Sequence, residues 1–183
     1  MNQTIKLKQE NLNLLKDCIS VPEFDRNTIK TGIVHIGIGG FHRAHQAYYI
    51  QKLQEQFNDV NWGICGIGLR EGDKKIQEVF KQQNNLYTLI IKHPNGKIES
   101  KIMGSILDFK LGFDNPEPVL KKMADPDTKI VSLTITEGGY NFNSSTGKFD
   151  FENPEIQFEL KHPDKPKTVY GFLTAALKKR RDA

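Results

Sequence analysis

Cysteine is scarce in this chain. Two in 183 residues, Cys18 and Cys65, are too few for a disulfide framework. Cys65 lies in the apolar run 62–67 and reads as a buried thiol, so a cytoplasmic location is expected. No apolar run approaches membrane-spanning length. Residues 1–13 mix Lys, Gln, Asn and Glu with single Leu and Ile, and hold no signal-peptide core. Charge of one sign is also lacking: 26 Lys and Arg against 22 Asp and Glu leave a net +4. That balance points to neither a nucleic-acid partner nor a solvating acidic tail. No repeat and no low-complexity segment interrupts the chain. What remains is an ordinary soluble composition, 37% hydrophobic and 26% charged, in a length that suits one domain with a real core.

The chain is organised around GIVHIGIGGFHRAHQA, residues 32–47. A β-branched apolar run, 33–36, ends in the glycine turn 37–40, and a helical pattern follows over 41–57. Strand, tight glycine turn and helix form the phosphate-binding element of a dinucleotide fold. Gly37 permits a sharp turn off the strand, and Gly39 lets backbone approach a pyrophosphate closely. The helix behind them directs unpaired N–H groups and its positive dipole end at the anion. Ile36, Gly37, Ile38, Gly39, Gly40, Phe41, His42 and Arg43 are therefore the candidate cofactor-binding residues. The usual third small residue falls at His42, so spacing alone leaves open a plain turn between strand and helix. Arg43 in the first helical turn opposes the dipole, which suits a nearby anion, with a solvated side chain as the plain alternative. His42 and His45 stand three apart, but no third ligand or acidic partner follows at a useful spacing, so no metal site is expected.

This run resembles the start of the mannitol dehydrogenase family, the long-chain polyol and hexuronate dehydrogenases. Three more stretches carry the resemblance in the family's order: WGICGIGLR at 62–70, IVSLTITEGGY at 130–140 and KTVYGFLTAAL at 167–177. The resemblance covers about residues 7–181 and only the amino-terminal part of such an enzyme. It implies an α/β fold, a Rossmann-like, mostly parallel sheet that binds NAD. It also implies that Asp73, past the second strand at 62–68, is the carboxylate that holds the adenosine ribose and repels a 2′-phosphate. Asp73 could also cap a helix over 74–83, a role compatible with the first, and Arg70 could pair the very phosphate that Asp73 repels. By resemblance, the loop after the strand at 129–135 borders the nicotinamide. Thr136 is then a cofactor contact and Glu137 an auxiliary proton relay, with a surface carboxylate as the plain alternative for Glu137.

The remaining chain supports that frame. Residues 1–31 read as an extension before a dinucleotide-binding domain at 32–183, either an arm packed on the domain or a loosely docked terminus. Strands at 86–92 and 97–103 flank Pro94-Asn95-Gly96 and form an antiparallel hairpin inserted in the parallel fold. A short strand at 106–111, helices at 116–124 and 155–160, and a last helix at 168–181 follow. Tyr170, Phe172, Leu173, Ala176 and Leu177 form the apolar face of that helix. The basic end 178–181 complements a helix carboxyl end more simply than it makes a localisation patch.

In the family, a separate helical domain supplies the catalytic lysine with an asparagine and a histidine beside it, and no lysine here matches that base. The resemblance thus implies the cofactor part of an NAD-dependent enzyme oxidising a polyol, a small-molecule substrate, to a ketose. Mannitol to fructose is the first expectation. A hexuronate reductase of the same family and a non-catalytic nucleotide-binding fragment stay open, and the 183 residues alone are expected to be inactive.

Overall fold

The computed structural model describes residues 4–143 and 145–182, without the side chain of Glu137. The amino-terminal arm carries a 3₁₀ turn, Gln9–Asn11, that runs into a short helix, α1 (Leu12–Leu15). It is docked on the domain by Arg26. The guanidinium donates to Gly104 O at 2.9 Å, Asn84 O at 2.9 Å, Ile106 O at 3.1 Å and the Gln9 side chain. Burial without a carboxylate partner lowers its pKa to about 10.

β1 (Thr31–Ile36) and β2 (Gly63–Gly68) run parallel, with Val34 opposite Cys65 and Ile36 opposite Ile67. Two helices, α2 (Gly40–Ala44) and α3 (Gln46–Phe57), connect them. The single helix expected over 41–57 is therefore broken. His45 sits at φ −119, ψ −85, and its Nδ1 bonds the Phe41 carbonyl at 2.8 Å, competing with the helical ladder.

After β2 comes α4 (Asp73–Gln82), then the hairpin of β3 (Tyr87–Lys92) and β4 (Ile98–Met103), a two-stranded antiparallel sheet that the arm touches by a single parallel bridge, Ser20 to Lys101. Gln51 on α3 ties the hairpin down: its Oε1 accepts from Gly104 N at 2.6 Å and its Nε2 donates to Ile102 O at 3.1 Å. β5 (Ile106–Leu111) returns to the main sheet beside β2. α5 (Glu117–Ala124) crosses back to β6 (Ile130–Leu133), which pairs with the other side of β1. The main sheet is β5-β2-β1-β6, all parallel. A small hairpin, β7 (Phe142–Asn143) with β8 (Lys148–Phe149), precedes α6 (Pro154–Lys161) and α7 (Val169–Arg181).

Both faces of this sheet are covered, which is why its central strands are nearly continuous apolar runs. On one face Val34, Ile36, Cys65 and Ile67 pack against Val119, Leu120 and Met123 of α5 and Val169, Phe172 and Ala176 of α7. On the other, Ile33, Ile64 and Ile106 pack with Ala47 of α3 and Phe80 of α4. Cys65 is fully buried, and loss of solvation raises its thiol pKa to about 12. Leu177 does not join the apolar face of α7 and is 66% exposed. Residues 169, 172 and 176 recur on one helical stripe, and Leu177 is a further 100° round. Among the described residues no helix is long and apolar enough to cross a membrane.

Candidate cofactor-binding cleft

In an open parallel sheet the strand order reverses where successive crossovers go to opposite sides, and the carboxyl ends of the strands open a crevice there. Here the reversal lies between β1 and β6. The crevice is a cleft of about 930 Å³ over the ends of β1, β2, β5 and β6. That volume lies within the range of sites for small molecules and cofactors.

The floor is the glycine turn. Gly37 has φ +90, and its N–H donates to Ile67 O at 2.9 Å across the sheet. A Cβ there would lie 2.3 Å from the Thr134 carbonyl oxygen. Glycine is thus required twice, by dihedral and by contact. Gly39 differs: its φ of −67 suits any residue, and a Cβ would meet nothing within 4 Å. The space above Gly39 is open to the cleft and not filled by the fold.

Ile36, Gly37, Ile38, Gly39, Asp73 and Thr136 line the cleft. Gly40, Phe41, His42 and Arg43 are not on its wall. Gly40 faces open space, and Phe41 is 65% exposed and stacked on His45 at 4.2 Å. His42 turns inward, 1% exposed, with its ring stacked 3.7 Å from His35. Arg43 donates from Nη1 to Ile38 O at 3.0 Å, bracing the turn from behind instead of reaching into the cleft. Among the described residues no three His, Cys, Asp or Glu are placed to hold a metal.

At the β2 end, Asp73 is the first residue of α4 and Gly72 is the N-cap. The capping role considered for Asp73 is thus replaced by a backward contact: its Oδ2 accepts from Arg70 N at 3.0 Å. The carboxylate is held against Gly68, on the cleft side of the strand end. Beside it on α4 is an ion pair that sequence reasoning missed, whose carboxylate, Asp114, also lines the cleft. Lys74 Nζ pairs with Asp114 Oδ2 at 2.9 Å and lies 5.2 Å from the Phe113 ring centroid. Gly112, directly after β5, repeats the strand-then-glycine signature of β1 and could have pointed there.

The far wall comes from α7 and the loop before it. Glu159, only 8% exposed, accepts from Thr168 N at 2.5 Å, from Thr168 Oγ1 at 2.7 Å and from Lys167 N. Its carboxylate sits at the amino end of α7, where the dipole favours it. It fixes Lys167 and Thr168 on the cleft wall. Glu137 begins a 3₁₀ turn, Glu137–Tyr140, beside the cleft, but its side chain lies outside the described residues.

Residues 31–183 match the family model described as the mannitol dehydrogenase Rossmann domain. The chain belongs to the mannitol dehydrogenase family. It is 45% identical over 179 residues to a polyol:NADP oxidoreductase of Gluconobacter oxydans, covering 97% of this chain and 36% of that protein. It is 42% identical over 180 residues to a mannitol 2-dehydrogenase of Pyrenophora tritici-repentis, covering 98% and 31%. Among solved structures, a Pseudomonas fluorescens mannitol 2-dehydrogenase in ternary complex with NAD and D-mannitol superposes with TM-score 0.91 at 43% identity, over 97% of this chain and 36% of that one. A D-sorbitol dehydrogenase in substrate-free form gives 0.90 at 43% identity, over 97% and 37%. The chain thus spans about a third of the length of the relatives it matches. Within the mannitol dehydrogenase Rossmann domain, the cleft is the feature shaped for a ligand: the space over Gly39 is open, and Asp73, Asp114 and Lys167 stand on its wall.

Proposed function

We propose that residues 32–183 form the cofactor-binding domain of an NAD-dependent polyol dehydrogenase, that residues 1–31 are an arm on it, and that the protein works in the cytoplasm. Open space over Gly39, beside a Gly37 that only glycine can occupy, carries the reading. The fold has kept one glycine for itself and one for something that is not protein. The cofactor's nicotinamide supplies the hydride acceptor. The chain's own residues hold and orient it: the 37–39 turn at the pyrophosphate, and Asp73 at the ribose hydroxyls of the adenosine. A carboxylate there disfavours a 2′-phosphate, hence NAD. The ternary-complex relative was solved with NAD and D-mannitol, which supports D-mannitol to D-fructose as the reaction. A relative named for NADP keeps one other reading in play, with Arg70 beside Asp73 as the phosphate partner. Thr136 is proposed as a further cofactor contact and Glu137 as an auxiliary proton relay.

The test is titration with NADH and NADPH, followed by cofactor emission and calorimetry. Trp62 is a poor reporter, because it precedes β2 at the end of the sheet opposite the cleft, with its Nε1 bonded to Asp59 at 2.9 Å. Saturable binding with NADH well ahead supports NAD. NADPH ahead moves the reading to NADP. No binding of either to folded protein removes the cofactor reading. On its own the chain should form no NADH with any polyol. Joined to the remaining two thirds of a mannitol 2-dehydrogenase, it should do so with D-mannitol. A response only to hexuronates would overturn the substrate.

A further inference from the structure

His35 is buried in the centre of β1 on the face that carries α2 and α3, and both its ring nitrogens are engaged. Nδ1 lies 2.8 Å from Ser132 Oγ, and Nε2 lies 2.9 Å from Thr134 Oγ1. Both partners come from β6 and the residue that follows it, with Ser132 directly opposite His35 in register. Ser132 Oγ is also approached by Gln46 Nε2 at 3.4 Å, a long bond from the start of α3. His42 covers the outer side, stacked 3.7 Å away and 18° from parallel, with both its nitrogens buried and unbonded. Desolvation lowers the pKa to about 4 for His35 and about 3 for His42, so both rings are neutral at pH 7.

A neutral imidazole has one N–H, and the connectivity selects which nitrogen carries it. As oriented, the Gln46 amide presents its Nε2 to Ser132 Oγ and donates there. Ser132 therefore directs its single proton at Nδ1. The other tautomer would aim two donors, Nδ1–H and the Gln46 amide, at the one Ser132 hydroxyl and would commit the Thr134 proton to Nε2. Nδ1 accepts, so Nε2 carries the hydrogen and donates to Thr134 Oγ1. The Thr134 hydroxyl proton is then free to donate elsewhere. Thr134 lies on the cleft wall, on the β6 side of the glycine turn and away from Asp73.

We propose that Gln46, Ser132 and His35 form a relay that holds Thr134 as a hydrogen-bond donor to the nicotinamide-riboside half of the bound cofactor. His35 and Gln46 are positioning residues, and Thr134 makes the contact. The inference rests on the cofactor reading for its ligand but not for its wiring.

Two measurements test it on the whole chain. Nitrogen-15 NMR of the imidazoles reads the tautomer without any ligand: His35 should be protonated at Nε2, and protonation at Nδ1 overturns the relay. Titrations with NADH and with ADP, which lacks the nicotinamide riboside, read the contact. Thr134→Val should weaken NADH roughly three- to tenfold, the worth of one neutral hydrogen bond, and leave ADP within about twofold. Thr134→Ser should retain NADH affinity. Unchanged NADH affinity in Thr134→Val, or equal losses for NADH and ADP, would overturn the contact. If the unsubstituted chain binds neither ligand, the cofactor reading fails and takes the contact with it, while the tautomer still decides the relay.

Discussion

The two turn glycines respond to the same substitution in opposite ways. Gly39→Ala adds a methyl where no atom lies within 4 Å, at a φ of −67 open to any residue. The unfolded chain loses freedom, which stabilises by about 0.4–1 kcal/mol. Gly39 is also the N-cap of α2, where alanine is the poorer residue by about the same amount. Folding stability should therefore stay within about 0.5 kcal/mol. Cofactor affinity should not, because the methyl enters the space assigned to the pyrophosphate; a tenfold loss, about 1.4 kcal/mol, is the least expected. Gly37→Ala should do the reverse at first order. It forces an L-residue to φ +90 and brings a Cβ within 2.3 Å of backbone that cannot swing aside. Strain and overpacking together cost about 3 kcal/mol or more. For a domain of this size that is a fall in Tm of about 6–12 °C. The assays are thermal unfolding by circular dichroism and NADH titration on both variants. If Gly39→Ala binds NADH as tightly as the parent, the open space over Gly39 is not the cofactor's. If Gly37→Ala melts with the parent, the turn geometry is wrong.

Asp73→Asn keeps an oxygen for Arg70 N and removes the charge, so stability should hold while the preference for NADH over NADPH falls about tenfold; an unchanged preference would move selectivity to another group. Arg26→Met strands the carbonyls of Gly104, Asn84 and Ile106 and should cost about 1–3 kcal/mol. Limited proteolysis should then cut within residues 4–25, and an arm as resistant as the parent's would show that Arg26 is not what docks it. Acid should destabilise the fold through the stacked pair. His35 and His42 titrate near 4 and 3 when folded against 6.5 unfolded, so the unfolded chain takes up protons first. Their contribution is complete above about pH 6.5 and lost as pH falls towards 4. Urea midpoints at pH 7, 6 and 5 should fall in that order. A midpoint that holds from pH 7 to 5 in a His35→Gln variant but falls in the parent would assign the loss to His35.

What could be read from the chain was what is periodic or local. The run 33–36 before a glycine turn specifies a buried strand and a sharp exit, and the Rossmann-like sheet follows from repeating that unit. The hairpin at β3 and β4 was legible because Pro94-Asn95-Gly96 encodes its own turn, with Gly96 at φ +84. Breaks in these patterns come from side-chain contacts and angles that a count of apolar residues does not encode. Helical periodicity runs straight through His45, whose ring turns back on the Phe41 carbonyl, and the docking of His42 on His35, seven residues upstream, accompanies the break. Counting apolar residues put Leu177 on the buried face, whereas angle places it outside. The cleft wall is the extreme case. Glu159 reads as one surface carboxylate among many until Lys167 and Thr168 fold back onto it, and Lys74 reads as a solvated cation until Asp114 arrives from the loop after β5. Neither pair has a spacing that a window could detect. Gly37, Gly68 and Gly112 nevertheless lie at or directly after the carboxyl ends of three neighbouring strands of the main sheet, and glycine is the one residue whose placement there is dictated by close approach. Glycines at successive strand ends are a local signal of a shared crevice, and they locate the cleft even where the residues that line it cannot be foreseen.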